Sequence, residues 1–367
     1  MDLLHGNCGN KLLKEKKEIS YFYKNKRILI TGHTGFKGGW LSLFLNLMGA
    51  EVFGISDVRK KISLKSGFNS SLVQKEILTD INRVEIYKRE ILDFKPEIVF
   101  YLAAQPLVRE AFKKPVETMQ SNIMGLTNFL NSIRELKSIR LILTITSDKV
   151  YEHKEINQKF IETDRLGGIE PYSASKAMQE MIVKVFYESY FKASNIKMVT
   201  ARAGNVLGGA DWAKDRLIVD IIVSIISKKQ MIVRFPKNTR PWQYVIDLIY
   251  GYLLLVKKFY NDDLGFASYN FAPQNSYPAE QILNFSKLYW ADQFNFSVSK
   301  NENHIFEEQN LQISNNKIQN YIDWENEQDL NKVLKNTFDW YRGYINKENL
   351  FELNRKIINQ FLGSLNE

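Results

Sequence analysis

The sequence predicts an α/β protein: a Rossmann-like, doubly wound parallel sheet followed by a smaller mixed α/β C-terminal lobe for substrate. Three features predict it. Short β-branched runs alternate with helix-length amphipathic segments from Arg27 to Arg202, the pattern of parallel strands joined by right-handed helical crossovers. The first run ends in Gly32-x-x-Gly35-x-x-Gly38 and passes straight into a helical segment. Farther on, Tyr172-Ser173-Ala174-Ser175-Lys176 opens a second long helix directly after Pro171.

Taken in order, Arg27 to Thr31 is a short strand of the buried type. Gly38 to Met48 is a helix that packs through Trp40, Leu41, Leu43, Phe44 and Leu47. Glu51 to Ser56, Glu76 to Thr79 and Glu97 to Leu102 are the next strands, with a helix from Asn82 to Phe94 between the last two. From Val116 onward, Met119, Ile123, Leu126, Leu130 and Ile133 recur at three- and four-residue steps, which marks a long amphipathic helix. Strand Arg140 to Thr146, a helix from Pro171 to Phe191 and strand Lys197 to Arg202 complete the alternation. Both long helices carry more apolar surface than one sheet face requires, so a homodimer or homotetramer that pairs through them is expected.

Beyond Ala203 the pattern loosens into Gly-, Trp- and Arg-bearing loops mixed with helices. The apolar runs Leu217 to Ile226 and Val245 to Val256 contain Asp220 and Asp247 and fall short of a membrane span, so they read as buried helices. The segment after Asn301 is rich in Asn and Glu but keeps Trp324, Leu334, Phe338, Trp340 and Tyr341. It is expected to pack. The polar leader, residues 1–24, is expected to be loosely ordered.

At 367 residues and 44% hydrophobic, the chain has enough apolar mass for one large α/β unit or two linked lobes, which excludes a disordered or fibrous class. Its net charge of +9 is scattered, with Lys interleaved among Glu and Asp, and this argues against a nucleic-acid partner. A basic surface would still help to collect an anionic small substrate. Cys8 is alone, and no signal-like apolar run follows the charged segment from His5 to Lys17. A cytoplasmic protein with no membrane contact is therefore expected. His5, His33, His153 and His304 are dispersed and Glu307-Glu308 has no partner at ligand spacing, so no metal site is expected.

A strand running through a glycine turn into a helix lets backbone N–H groups approach a pyrophosphate at the positive helix end. Asp57 ends the second strand, 19 residues after Gly38, where a carboxylate accepts hydrogen bonds from an adenosine ribose. Its charge would repel a 2′-phosphate, which favours NAD over NADP although Arg59 and Lys60 lie close by. The competing reading is a tight turn with a solvated aspartate. Tyr172 and Lys176, at i and i+4, share one helix face, and a nearby ammonium would lower the phenol's pKa and make it usable as a base. A lone Tyr-x-x-x-Lys string is weak. Here it follows a dinucleotide-type half and the strand-end residues Thr146-Ser147-Asp148-Lys149.

At this level of detail the chain resembles the extended short-chain dehydrogenase/reductases, among them the nucleotide-sugar 4,6-dehydratases and, within these, the cytidine-diphosphate branch. The likeness runs from about Lys26 to Tyr341. It rests on GHTGFKG (32–38), LAAQPLVR (102–109), TSDKVYE (146–152), GGIEPYSASK (167–176), ARAGNVLGGADWAKDRLI (201–218) and TRPWQYV (239–245). The resemblance implies that Tyr172, Lys176, Ser147, Asp148 and Lys149 are catalytic. Asp148 would protonate the departing C6 hydroxyl and Ser147 would bond the C4 oxygen beside Tyr172. Lys149 would stand where sister enzymes carry a glutamate base, which leaves the C5 base open. Cofactor contacts are implied at Gly32, Gly35, Phe36, Lys37 and Gly38 in the turn, at Asp57, Asp80 and Ile81 by the adenosine, and at Leu102, Ala103, Ala104, Gln105 and Asn122 by the nicotinamide ribose. Substrate contacts are implied at Asn205, Arg216, Leu217, Arg234 and Arg240, of which the planar Arg donors suit a diphosphate.

The implied organisation is an NAD-binding domain over 25–203 with a returning segment near 239–265, a nucleotide-sugar lobe over 204–345 and a tail over 346–367. The implied reaction is an intramolecular redox dehydration of CDP-glucose to its 4-keto-6-deoxy product, for deoxysugars of surface lipopolysaccharide. A dehydratase or 4-epimerase of another nucleotide-hexose is the alternative within enzymes. A catalytically idle NAD-binding regulator is the alternative outside them.

Overall fold

Seven parallel strands form the central sheet of the computed structural model, which describes residues 14–57, 66–152, 159–299, 311–327 and 329–363. The first six follow the expected alternation: β1 (Arg27–Thr31), β2 (Glu51–Ser56), β3 (Lys75–Leu78), β4 (Ile98–Tyr101), β5 (Leu141–Ile145) and β6 (Lys197–Ala203). Four short strands, β7 (Val206–Leu207), β8 (Met231–Val233), β9 (Thr239–Arg240) and β10 (Gln243–Tyr244), precede the seventh sheet strand, β11 (Phe266–Phe271). The last two are β12 (Tyr277–Pro278) and β13 (Phe296–Val298). The sheet order is β11-β6-β5-β4-β1-β2-β3, with every neighbouring pair parallel. The order reverses between β1 and β4, which opens a crevice at the strands' C-terminal ends.

Strands buried on both faces need apolar cover on both. On one face lie α1 (residues 14–23) and α2 (Phe36–Leu47), and on the other α3 (Val84–Phe94). The short α4 (Val108–Lys113) leads into α5 (Pro115–Met119), a π-helical turn at Gln120–Met124 and α6 (Gly125–Ile133), so the expected long helix is one run with a bulge in it. α7 (Pro171–Phe186) likewise ends in a π-helical turn, Tyr187–Phe191. The two apolar stretches with internal aspartates are α8 (Leu217–Ser227) and α9 (Val245–Asn261), and α9 joins the same apolar layer as α2. The remaining helices are α10 (Ala279–Trp290), α11 (Asn316–Tyr321), α12 (Leu330–Ile345) and α13 (Leu350–Leu362). Among the described residues no helix is long and apolar enough to cross a membrane.

The structure departs from the sequence expectations in two places. Over its described part the leader is ordered: Ile19 and Tyr23 are fully buried, and the Tyr23 hydroxyl donates to the Leu253 carbonyl at 2.8 Å. Residues 1–13 lie outside the described residues. The second difference is β11, which pairs along β6 from Phe266 to Phe271, beyond the expected returning segment. The tail packs, as expected of the segment after Asn301: Leu350–Leu362 is a helix that sets Phe361 against Phe44 and Tyr250. Leu334, Phe338, Trp340 and Tyr341 are buried as expected, and the Trp324 indole N–H donates to the Asp247 carbonyl at 2.8 Å.

Short paired strands, β7 with β10 and β8 with β13 in parallel and β9 with β12 antiparallel, combine with α8 and α10 into the smaller mixed lobe. Below the crevice lies a buried ion pair. Glu180 Oε2 meets Arg202 Nη2 at 2.9 Å, with both side chains almost wholly enclosed. Thr146 and Thr200 hydroxyls also donate to the Glu180 carboxylate, at 2.5 and 2.7 Å. Burial pushes the Glu180 carboxyl up, but the Arg202 charge and these hydrogen bonds outweigh it and hold it below the usual range. Removing one partner of such a pair leaves a buried charge uncompensated. Arg202→Leu should cost about 3–5 kcal/mol of unfolding free energy, measured by urea denaturation; a loss below about 1 kcal/mol, the scale of an exposed pair, would show that the pair is not a structural tie.

Candidate active site

The crevice holds a cavity of about 520 Å³. Its dinucleotide-like end is built by backbone geometry. Gly32 has φ +78°, and a Cβ there would lie 3.1 Å from Ala103 N, because the turn presses on the loop after β4. At Gly38 a Cβ would fall 2.2 Å from the Gly32 carbonyl oxygen, so only glycine lets α2 start this close to β1. α2 begins with no side-chain cap and no acidic residue in its first turn. Its N–H groups are suited to an anionic ligand. Gly32, Gly35, Phe36, Lys37 and Gly38 all line the cavity, as do Asp57, Asp80, Ile81, Leu102, Ala103 and Ala104. The glycine cradle and the carboxylate at the end of β2 fit a dinucleotide. Arg59 and Lys60 lie outside the described residues.

Two expected cofactor residues are placed differently. Gln105 and Asn122 do not line the cavity; they form the layer behind its wall. Fully buried Asn122 accepts from Gln105 N at 2.7 Å through Oδ1 and donates through Nδ2 to the Gln105 carbonyl (3.1 Å) and Ser175 Oγ (2.9 Å). Asn122 thus ties the loop after β4 to α7.

The chemical end forms where β5 runs out beneath the start of α7. Ser147 caps the turn Asp148–Val150 by accepting from Lys149 N at 3.2 Å, and its hydroxyl donates to Asp148 Oδ1 at 2.8 Å. α7 is started by Pro171 and by Glu170, whose carboxylate accepts from the N–H groups of Tyr172 (2.7 Å) and Ser173 (2.8 Å). That cap aims Tyr172 at Ser147, to which the phenol is hydrogen-bonded. One turn on, Lys176 Nζ donates to Gln179 Oε1 at 2.8 Å and to the Ile145 carbonyl at 3.3 Å. Tyr172, Lys176, Ser147, Asp148 and Lys149 all face the cavity.

The Tyr172 phenol corrects one expectation. It is pushed up to about 12, chiefly by burial, with the Ser147 hydrogen bond and the Arg216 charge pulling it back and Asp148 and Glu170 adding to the rise. A lowered phenol was expected. Desolvation of the phenolate outweighs the positive charges in the free protein.

At the far end, Asn205, Arg216, Leu217, Arg234 and Arg240 line the wall. Arg216 precedes α8 and its Nε lies 3.3 Å from Asp211 Oδ2, while buried Arg240 donates to the Thr239 carbonyl at 2.8 Å. Asp211, Arg109 and Asp220 also line the cavity and were not foreseen. Burial, then the charge of Asp215, pushes the Asp220 carboxyl up to about 6 against the pull of Arg109. His33, which looked isolated in the sequence, is buried and supports the glycine turn. Its Nδ1 meets Ser56 Oγ at 3.0 Å and its Nε2 meets Glu76 Oε1 at 2.7 Å, while Ser56 Oγ accepts from Thr34 N at 3.1 Å. His153, His5, His304, Glu307 and Glu308 lie outside the described residues. Among the described residues, no three His, Cys, Asp or Glu side chains group as metal ligands would.

Residues 29–337 match the family described as GDP-mannose 4,6 dehydratase. The chain belongs to that family. Along its length this family member is 34% identical to the CDP-glucose 4,6-dehydratase of Salmonella typhimurium, over 94% of this chain and 98% of that one. In three dimensions it is similar to an epimerase of Methanothermobacter thermautotrophicus (TM-score 0.77, 18% identity, 93% of this chain and 97% of that one). It is likewise similar to dTDP-glucose 4,6-dehydratase of Bacillus anthracis, solved in complex with NAD (TM-score 0.71, 17% identity, 89% and 99%). At these identities the two structures establish the fold alone, a Rossmann-like parallel α/β sheet.

The glycine cradle gives a direct test. Gly38→Ala puts a methyl group into the Gly32 carbonyl, so NAD affinity measured by calorimetry should fall at least about tenfold, a 1.4 kcal/mol loss, while the protein stays folded. Unchanged affinity would mean that no pyrophosphate approaches this turn.

Proposed function

We propose that the protein is an NAD-dependent nucleotide-sugar 4,6-dehydratase that converts CDP-glucose to CDP-4-keto-6-deoxyglucose. One observation carries this reading. Tyr172, Ser147 and Asp148 converge in a single cavity, between a glycine cradle that fits a dinucleotide and arginines that suit a diphosphate. The similarity to a CDP-glucose 4,6-dehydratase along nearly the whole chain supports cytidine as the base.

NAD, held by the glycine turn and Asp57, would supply the hydride acceptor for C4 and the donor for C6. Tyr172 takes the C4 hydroxyl proton, with Ser147 bonding the same oxygen. At about 12 the phenol is protonated at neutral pH in the free protein, so it becomes a base only where further positive charge comes close. Lys176, fixed by Gln179 and the Ile145 carbonyl, is the protein's cation one helical turn away. With C4 a ketone, the C5 hydrogen is acidic, and Lys149 in the wall beside Asp148 acts there. Asp148 gives a proton to the departing C6 hydroxyl, so water leaves. Arg216, Arg240, Arg234, Asn205 and Leu217 hold the sugar nucleotide throughout.

The net reaction loses the C6 oxygen, whereas a 4-epimerase would keep it and an idle regulator would turn nothing over. We place the enzyme in the cytoplasm, in the supply of deoxysugars for lipopolysaccharide. We also assign it a homodimeric or homotetrameric state, since Val116, Met124, Met181 and Val185 on the two long helices are exposed. The discriminating assay offers CDP-, UDP-, GDP- and dTDP-glucose and N-acetylhexosamines in turn and reads 4-keto product and C6 oxygen by mass spectrometry. CDP-glucose should be turned over best; preference for another nucleotide would replace it, and retained C6 oxygen would make the enzyme an epimerase.

Tyr172→Phe keeps the ring but removes the proton acceptor. Turnover should fall by roughly 10²–10⁴-fold with the fold intact, and near-normal turnover would remove Tyr172 from the base role. Asp148→Asn should still oxidise C4, seen as reduced-cofactor absorbance in rapid mixing, but should lose water slowly. Fast elimination without that absorbance would refute the division of labour.

A further inference from the structure

We propose that Tyr341, on the C-terminal helix α12, is a positioning residue for the sugar-nucleotide diphosphate: it seats the loop before α8 so that Asp211 holds Arg216 in the cavity wall. The inference rests on the reading that Arg216 grips that diphosphate. It gives a role at the site to a helix that supplies no residue to the cavity lining.

Residues 208–216 join β7 to α8, and Gly208, Asp211, Asp215 and Arg216 of this loop line the cavity. A loop keeps a side chain in one place only where something fastens it. Here the Trp40 indole on α2 donates to the Gly209 carbonyl at 3.0 Å, and the Trp340 ring fills the space that a Cβ on Gly209 would need. Two residues on, the hydroxyl of fully buried Tyr341 donates to the Asp211 carbonyl at 2.6 Å, across 130 residues of chain. The Asp211 carboxylate is set in turn. Its Oδ1 accepts from Ala213 N at 3.0 Å, and its Oδ2 lies 3.3 Å from Arg216 Nε as an ion pair. Asp211 is thus held at its carbonyl by α12 and at its carboxylate by its own turn, and it presents that fixed carboxylate to the Arg216 guanidinium.

The loop has one further tie on this side, Arg109 Nη1 donating to Asp215 Oδ1 at 2.6 Å. That pair is partly exposed, where ion pairs contribute little. The Tyr341 bond is made out of reach of water and is the stronger anchor. A buried tyrosine is ordinarily core packing, and this ring does pack, edge-on to Trp212 with centroids 5.4 Å apart. Its hydroxyl reaches farther, to the backbone of a loop that faces the ligand.

Tyr341→Phe separates the two roles, because it keeps the ring and removes only the donor. The probe is whichever of CDP, UDP, GDP and dTDP the wild-type full chain binds most tightly in calorimetry, with NAD as the control. Affinity for that diphosphate should fall about fivefold, the equivalent of roughly 1 kcal/mol for an orphaned buried acceptor, while NAD affinity stays within about twofold. Turnover of the matching NDP-glucose should show KM raised by a like factor and kcat unchanged, as for a contact made before and during chemistry. Asp211→Asn keeps the carbonyl but removes the charge beside Arg216. It should weaken the same probe, and it carries the test should Tyr341→Phe not fold; unchanged affinity in it overturns the proposal. The deciding measurement is the double variant: acting through Arg216, Tyr341→Phe adds nothing in an Arg216→Ala background. A further loss of the same size there, or a lower melting temperature with diphosphate affinity unchanged, makes Tyr341 a core residue alone and overturns the proposal while leaving the dehydratase reading intact. A loss confined to NAD overturns it as well. If the wild type binds none of the four diphosphates, the reading of the arginine wall fails with it.

Discussion

The buried Glu180 carboxylate is the tie on which the site depends. It lies one helical turn beyond Lys176 on α7, and it accepts from Thr146, the residue just before Ser147 and Asp148, and from Thr200 on β6. Arg202 carries the network outward, from its guanidinium to the Tyr151 hydroxyl at 2.9 Å and on to Asn270 Oδ1 at 2.6 Å on β11. The helix that carries the phenol and ammonium is thereby locked to the strand end that carries the hydroxyl and carboxyl. A buried polar network in low dielectric holds its members in place and makes each costly to orphan, and here only Arg202 Nε among the Glu180 and Arg202 side-chain atoms lacks a hydrogen-bond partner. Rigidity of this kind is what the proposed proton transfer between Tyr172 and a sugar oxygen would need.

Topology supplies the rest of the geometry. Because the strand order reverses between β1 and β4, the loops after these strands diverge and leave a crevice, and β5 delivers its end residues to one side of it. The glycine turn forms the other side. Its close approach to the loop after β4 is held from below by the His33, Ser56 and Glu76 chain, which joins the turn to β2 and β3. The smaller lobe then needs to contribute only the arginine-bearing wall, and short two-stranded pairings suffice to position it.

What was legible in the sequence was local. The β1–turn–α2 unit, the Glu170-Pro171 start of α7 and the i, i+4 placement of Tyr172 and Lys176 are set by neighbours in the chain, so their spacing announced them. Contacts made across long separations left no such trace. His33 finds Ser56 and Glu76 at 23 and 43 residues' distance, and β11 finds its place beside β6 only after α8, α9 and four short strands have intervened. Asn122 was read as a cofactor contact because of its position in a resembling chain, whereas its amide is consumed in fastening a loop to α7. The leader helix did carry a signal: Ile19, Phe22 and Tyr23 fall at helical spacing, but they are few among many charges.

Electrostatics explain why the free site is not yet a catalyst. Burial is the first cause of the raised phenol at Tyr172, the lowered ammonium at Lys37 and the raised carboxyls at Asp211 and Asp220. In each case burial shifts the group toward its neutral form. A nucleotide would bring charge into that site, where each charge acts on its neighbours more strongly than it would in solvent. Negative phosphates would favour the charged form of Lys37 in the glycine turn, and a positive nicotinamide would draw the phenol down toward use as a base. The same desolvation that shifts the free groups toward their neutral forms therefore couples their ionisation to the ligand that fills the crevice.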